Sequence, residues 1–135
     1  MKVENAVYPA REQIQSLVQR NTGKPIVMLN LLKFKDKAAY KDGRKTDLSG
    51  REAYQRYADL MVPYVQSHGG RIVFTGAANG LVIGDVGEMW DTVALMEYPS
   101  AEAFAKIAMS PEVANFGVHR EAGLAGQLLI EVHQQ

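Results

Sequence analysis

The spacing of hydrophobic positions changes along the chain in a way that marks out its elements. From Ile26 to Phe34 the run IVMLNLLKF is almost continuously apolar, as expected for a strand buried on both faces. Ahead of it, Ile14, Leu17 and Val18 form a narrow stripe in AREQIQSLVQRN. This predicts a short helix with Pro9 at its first turn, stopped by Asn21-Thr22-Gly23-Lys24-Pro25. After a long charged loop, Lys35 to Leu48, Ser49 and Glu52 match a capping box, so a helix should run from Gly50 to about Ser67. Tyr54, Tyr57, Met61 and Tyr64 recur on one face of that helix. Pro63 predicts a kink, because its nitrogen cannot bond the carbonyl of Asp59.

The second half alternates. Gly70 to Asp85 reads as a strand broken by glycines, either one long bulged strand, which is favoured, or a hairpin turning at Asn79-Gly80. WDTVALMEY predicts a third strand. Ser100 opens a helix with Ala103, Phe104 and Ile107 inward, and Ser110-Pro111 opens another helical segment. GQLLIEVHQ, from Gly126, alternates as a fourth strand. After the N-terminal helix the order is therefore β-α-β-β-α-β. This is the ferredoxin-like α+β arrangement, a four-stranded antiparallel sheet with helices on one face. A single domain spanning residues 1–135 is expected, with its helix at about 9–21 and its core at about 24–134.

The pleat sorts the strand residues into two sets. Ile72, Phe74, Val93, Leu95, Leu128, Ile130 and Val132 are the more apolar set, expected beneath the helices. Arg71, Val73, Thr75, Thr92, Ala94, Met96, Tyr98, Leu129 and Glu131, with Met28, Asn30 and Leu32, are expected on the opposite face. That mixed face is too apolar for water, which points to a second subunit.

Composition narrows the chemistry. Hydrophobic residues make up 47% and charged residues 22%, a globular balance, and there is no cysteine for a disulfide or thiolate site. Fifteen basic residues offset fifteen acidic ones, so no global field recruits nucleic acid or an anionic membrane. MKVENAVYPAREQ lacks the apolar stretch of a secretory signal, and no run approaches a membrane span, so a cytoplasmic location is expected. No phosphate-loop ending, histidine pair at metal-ligand spacing or GxSxG elbow occurs, and no metal or cofactor is expected.

PIVMLNLLKF, SGREAYQRYA, HGGRIVFTG, WDTVALMEYPS and SPEVANFGVHREAGL together resemble one family. It is the uncharacterised domain-of-unknown-function 1330 type in the dimeric α+β barrel, ferredoxin-like superfamily. The likeness runs from Lys24 to the C-terminus. It implies a homodimer whose two sheets pack face to face as a barrel, with a small cleft between sheet and helices in each subunit.

Several residues are then candidates for chemistry. His119 is expected as a general acid or base, with Arg120 holding an anion, against the plainer reading of a charge pair at a helix end. Asn30, breaking an apolar strand, needs a partner and could find it in the sheet or in a ligand. Tyr54 and Tyr57 could line the cleft or pack the core, and Trp90 could line the site or anchor packing. Glu97, expected on the helix side, could accept from a tyrosine or from Arg120. The function expected by superfamily analogy is small-molecule binding, extending to a cofactor-independent enzyme of isomerase or monooxygenase type. The alternatives are a non-catalytic ligand-binding or stress-response module, and haem binding through Asn30, Trp90 and His119.

Overall fold

The structure is a computed structural model describing residues 1–135. Helix α1 (Arg11–Gln19) starts two residues later than the Pro9 turn suggests, and Gln13 Oε1 accepts from the Ala10 amide at 2.8 Å. Strand β1 (Ile26–Phe34) and helix α2 (Gly50–Ser67) have the expected bounds. The capping box closes as anticipated, with Glu52 N donating to Ser49 Oγ at 3.1 Å and Ser49 N to Glu52 Oε1 at 2.9 Å. Strands β2 (Arg71–Ala77) and β3 (Thr92–Tyr98), helices α3 (Ala101–Ala108) and α4 (Pro111–Gly123), and strand β4 (Leu124–Val132) complete the chain. Ser100 and Ser110 cap their helices by accepting from Ala103 N and Val113 N. The sheet order β2-β3-β1-β4, antiparallel throughout, is ferredoxin-like.

The long bulged strand is corrected. β2 ends at Ala77, opposite Thr92, with one closing bond from Ala78 N to the Asp91 carbonyl at 3.0 Å; residues 78–91 form an irregular connection rather than strand or hairpin. The bulge sits earlier, between Ile72 and Phe74. It puts Ile72 opposite Met96 but Phe74 opposite Leu95, so these two residues face opposite sides of the sheet.

The two faces are also exchanged relative to expectation, except at Arg71 and Ile72, which precede the bulge. The helices cover the mixed set: Met28 is opposite Met96, Asn30 opposite Ala94 and Leu32 opposite Thr92, and Met28, Leu32 and Tyr98 are buried. The open face carries Val27, Leu29, Leu31, Val93, Leu95, Leu128, Ile130 and Val132, with Phe74 from the edge strand. Glu97 is on this open face, ion-paired with Arg71 at 2.9 Å, and not beside the tyrosines or Arg120.

The core sits between the helices and one half of the sheet, around Leu17, Ile26, Met28, Val65, Tyr98 and Ile107. Where α2 begins it touches the end of α4 backbone to backbone. A Cβ on Gly50 would land on the carbonyls of Lys35 and Gly123, and one on Gly123 would land on Gly50 and Tyr54. Glycine at both positions permits the crossing that sets Tyr54 and Arg120 at the same level of the fold.

Candidate functional site

Two cavities lie on the helix side, one at each half of the sheet. The larger, about 630 Å³, is between α2 and the β2–β3 half. That is the size of a typical small-molecule site. Its floor is Asn30, Leu32, Thr75, Thr92, Ala94 and Met96 from the strands, and its wall is Tyr54, Tyr57 and Met61 from α2, with Tyr98 at one end. Arg51 and Asp59 also line it, both exposed at the rim; Arg51 lies 4.6 Å over the Phe34 ring.

The tyrosine stripe reads through from sequence to structure. Spacing of three turns Tyr54 and Tyr57 to one side of α2, their ring centroids 5.4 Å apart, and Tyr54 leans on Phe34 at 5.5 Å. Both are half-buried. Tyr98 is 5% exposed and meets Phe104 edge-on at 4.9 Å. None of the three hydroxyls has a hydrogen-bond partner in the protein, and none is sealed from the cavity. Burial pushes all three phenols up, so they stay neutral; the nearby Arg120 guanidinium only partly offsets this at Tyr54 and Tyr57.

The smaller cavity, about 480 Å³, lies under the N-terminal segment and α1, against β4. Here the polar groups answer one another. Arg120 Nη2 donates to the Val7 carbonyl and, at 2.6 Å, to Gln127 Oε1. Gln127 Nε2 donates to Asn30 Oδ1 at 2.8 Å, and Asn30 Nδ2 donates to the Met28 and Ala94 carbonyls at 3.2 Å each. Asn30 therefore lines the larger cavity with its amide committed to the sheet.

His119 is elsewhere. Successive helix residues do not face each other, so His119 turns outward as Arg120 turns inward. Its Nδ1 is 2.7 Å from the Tyr40 hydroxyl, in the loop before α2, and desolvation, then Arg44 and Arg56, hold its pKa below the usual value. Trp90 lies in the 78–91 connection and lines neither cavity. Asn30, Trp90 and His119, the set considered for haem, do not converge. Sequence reasoning did not single out Tyr98 or Gln127 as site residues. Gln127 had a signal, a lone amide in the apolar run LAGQLLIEV. No group of three or more His, Asp or Glu side chains is placed to hold a metal ion, and no helix is long and apolar enough to cross a membrane.

The profile of one family, Domain of unknown function (DUF1330), matches residues 38–132. The chain belongs to this family. Among solved structures, the RPA0582 protein of unknown function from Rhodopseudomonas palustris is 30% identical with a TM-score of 0.88, covering 98% of each chain. Its methylated form is 32% identical with a TM-score of 0.89, covering 98% of this chain and 97% of that one. The likeness thus includes α1, outside the matched family region. At3g17210 from Arabidopsis thaliana, 18% identical with a TM-score of 0.50 over 82% of this chain and 95% of its own, shares the fold alone. No curated protein matches the chain.

Proposed function

We propose that this DUF1330 protein binds a small molecule in the cleft between α2 and the β2–β3 half of the sheet, and that it does so as a homodimer joined through the open sheet face. The observation that carries the binding reading is three tyrosine hydroxyls, of Tyr54, Tyr57 and Tyr98, that open onto one cleft and have no partner in the protein. Several hydroxyls that converge on one largely apolar cleft without being used by the fold are the kind of polar groups that orient a bound small molecule. The cleft's interior supplies donors and no base. Neutral phenols are weak proton acceptors, Asp59 is at the rim, and His119 is outside it. That supports a binding module over a cofactor-independent isomerase or monooxygenase.

Two observations support the dimer. The chain exposes 8910 Å², against roughly 7,000 Å² for a compact monomer of this mass, and buries only 18 of its 135 residues. The open face is also largely apolar, the kind of surface that a two-fold axis can press against its own copy.

Native mass spectrometry of the freshly purified protein tests both parts. A mass near twice 14.9 kDa with a small adduct is expected; a monomer at micromolar concentration overturns the dimer. For the cleft, Ala58→Trp places an indole in the cavity wall. Small-molecule fragments that bind the natural protein should lose binding to this variant; unchanged affinity would put their site elsewhere.

A further inference from the structure

The unpartnered hydroxyls also indicate what kind of molecule fits, an inference that rests on reading the cleft as a binding site. Each phenol is a better donor than acceptor, and three of them in one small apolar space form a set of neutral donors. The Tyr54 and Tyr57 rings are 5.4 Å apart and Tyr98 lines the same cleft, so one ligand can meet more than one of the three hydroxyls. Most of the rest of the interior is aliphatic or thioether, Leu32, Met61, Ile72 and Met96, with the neutral side chains of Asn30, Thr75 and Thr92 on its floor.

Charge is kept out of this interior. Arg51 and Asp59 are exposed at the rim, and the one inward guanidinium, Arg120, is engaged by the Val7 carbonyl and Gln127 and does not line the cleft. A carboxylate entering the cleft would shed its water for neutral donors only, and an ammonium group would find no anion. A hydrocarbon would strip water from the hydroxyls and give nothing back.

We infer that the cleft selects uncharged ligands with an apolar body and at least one carbonyl-type acceptor oxygen, held by Tyr54, Tyr57 and Tyr98, over carboxylates, amines and plain hydrocarbons of the same size.

The test titrates the full chain with three compounds of similar bulk: 1-tetralone, tetralin and 1-naphthoate, by calorimetry or ligand-observed NMR. 1-Tetralone should bind about tenfold more tightly than tetralin, the scale of one to two neutral hydrogen bonds, and more tightly than 1-naphthoate. The double change Tyr57→Phe and Tyr98→Phe should bring 1-tetralone to within about twofold of tetralin while leaving tetralin unchanged or tighter. Tyr8→Phe, in the other cavity, should alter none of the three. Equal affinity for the ketone and the hydrocarbon overturns the donor role and leaves the cleft as an apolar binder. Tightest binding of 1-naphthoate overturns the exclusion of charge. If no compound binds, or if all bind Ala58→Trp as they bind the natural protein, the reading of the cleft itself falls, and this inference with it.

Discussion

The two cavities on the helix side are made of the same materials, tyrosines, amides and guanidinium groups, yet they use their polar atoms in opposite ways. Around the smaller one Tyr8, Arg20, Arg120 and Gln127 are all matched. Tyr8 donates to Glu121 at 2.7 Å, Arg20 meets Glu131 at 2.6 Å, and Arg120 ties the Val7 carbonyl to Gln127 and through it to Asn30. That cavity is a joint holding the N-terminal segment against β4. Across the sheet, Tyr54, Tyr57 and Tyr98 have no such matches and present their hydroxyls to open space. Pairing inside the fold stabilises it and leaves little for a ligand; polar groups left unpaired contribute little to stability and can recognise a ligand. Cavity size alone would not separate the two.

Four changes test this contrast, from the largest effect to the smallest. Gly123→Ala attacks the frame both cavities share, because the new Cβ meets the backbone of Gly50 and Tyr54, which cannot step aside. It should cost about 3 kcal/mol or more in urea unfolding; a near-neutral result would mean that the α2–α4 crossing is looser than its geometry. Arg120→Met leaves the buried Gln127 oxygen without its donor and should cost about 1–3 kcal/mol. It should also speed amide exchange at Ala6, whose N–H bonds the Gln127 carbonyl at 3.1 Å. Unaltered exchange there would separate Arg120 from the joint.

Tyr98→Phe, by contrast, should stay within about 0.5 kcal/mol of the natural protein, since its hydroxyl has no protein partner to lose. A loss as large as that of Arg120→Met would show that the hydroxyl is paired and would erase the difference between the cavities. The smallest effect concerns pH and lies outside both cavities. Desolvation depresses the His119 pKa in the fold, so the unfolded chain takes up its proton first as pH falls. This contribution is complete above the ordinary histidine value of about 6.5 and is lost as pH drops below it toward the lower folded pKa. His119→Gln should therefore flatten the dependence of the urea midpoint between about pH 7.5 and 5.5; an identical slope in both proteins would remove His119 as its source.

Much of the scaffold was legible because its signals are local. The capping box at Ser49 and Glu52, the serine caps at Ser100 and Ser110, and the apolar run from Ile26 to Phe34 each depend on residues a few positions apart, and these elements begin where those signals stand. Tyr54 and Tyr57 were legible as cleft candidates for the same reason. Glu97 was misplaced because alternation separates two faces without saying which one the helices cover, and the more apolar face proved to be the open one. The bulge between Ile72 and Phe74 was set by pairing with β3 rather than by the glycines that suggested one nearby.

Local physics thus determined from sequence alone where β1, α2, α3 and α4 begin, the ferredoxin-like order and the tyrosine stripe. Tertiary structure decided which sheet face is covered, that His119 and Arg120 point apart, and that Tyr98 joins Tyr54 and Tyr57. It also decided that Asn30 bonds Gln127, 97 positions away. Capping and periodicity act over one or two turns of chain, whereas the partner of a buried polar group is chosen by how whole elements pack, and no short window of sequence contains that choice.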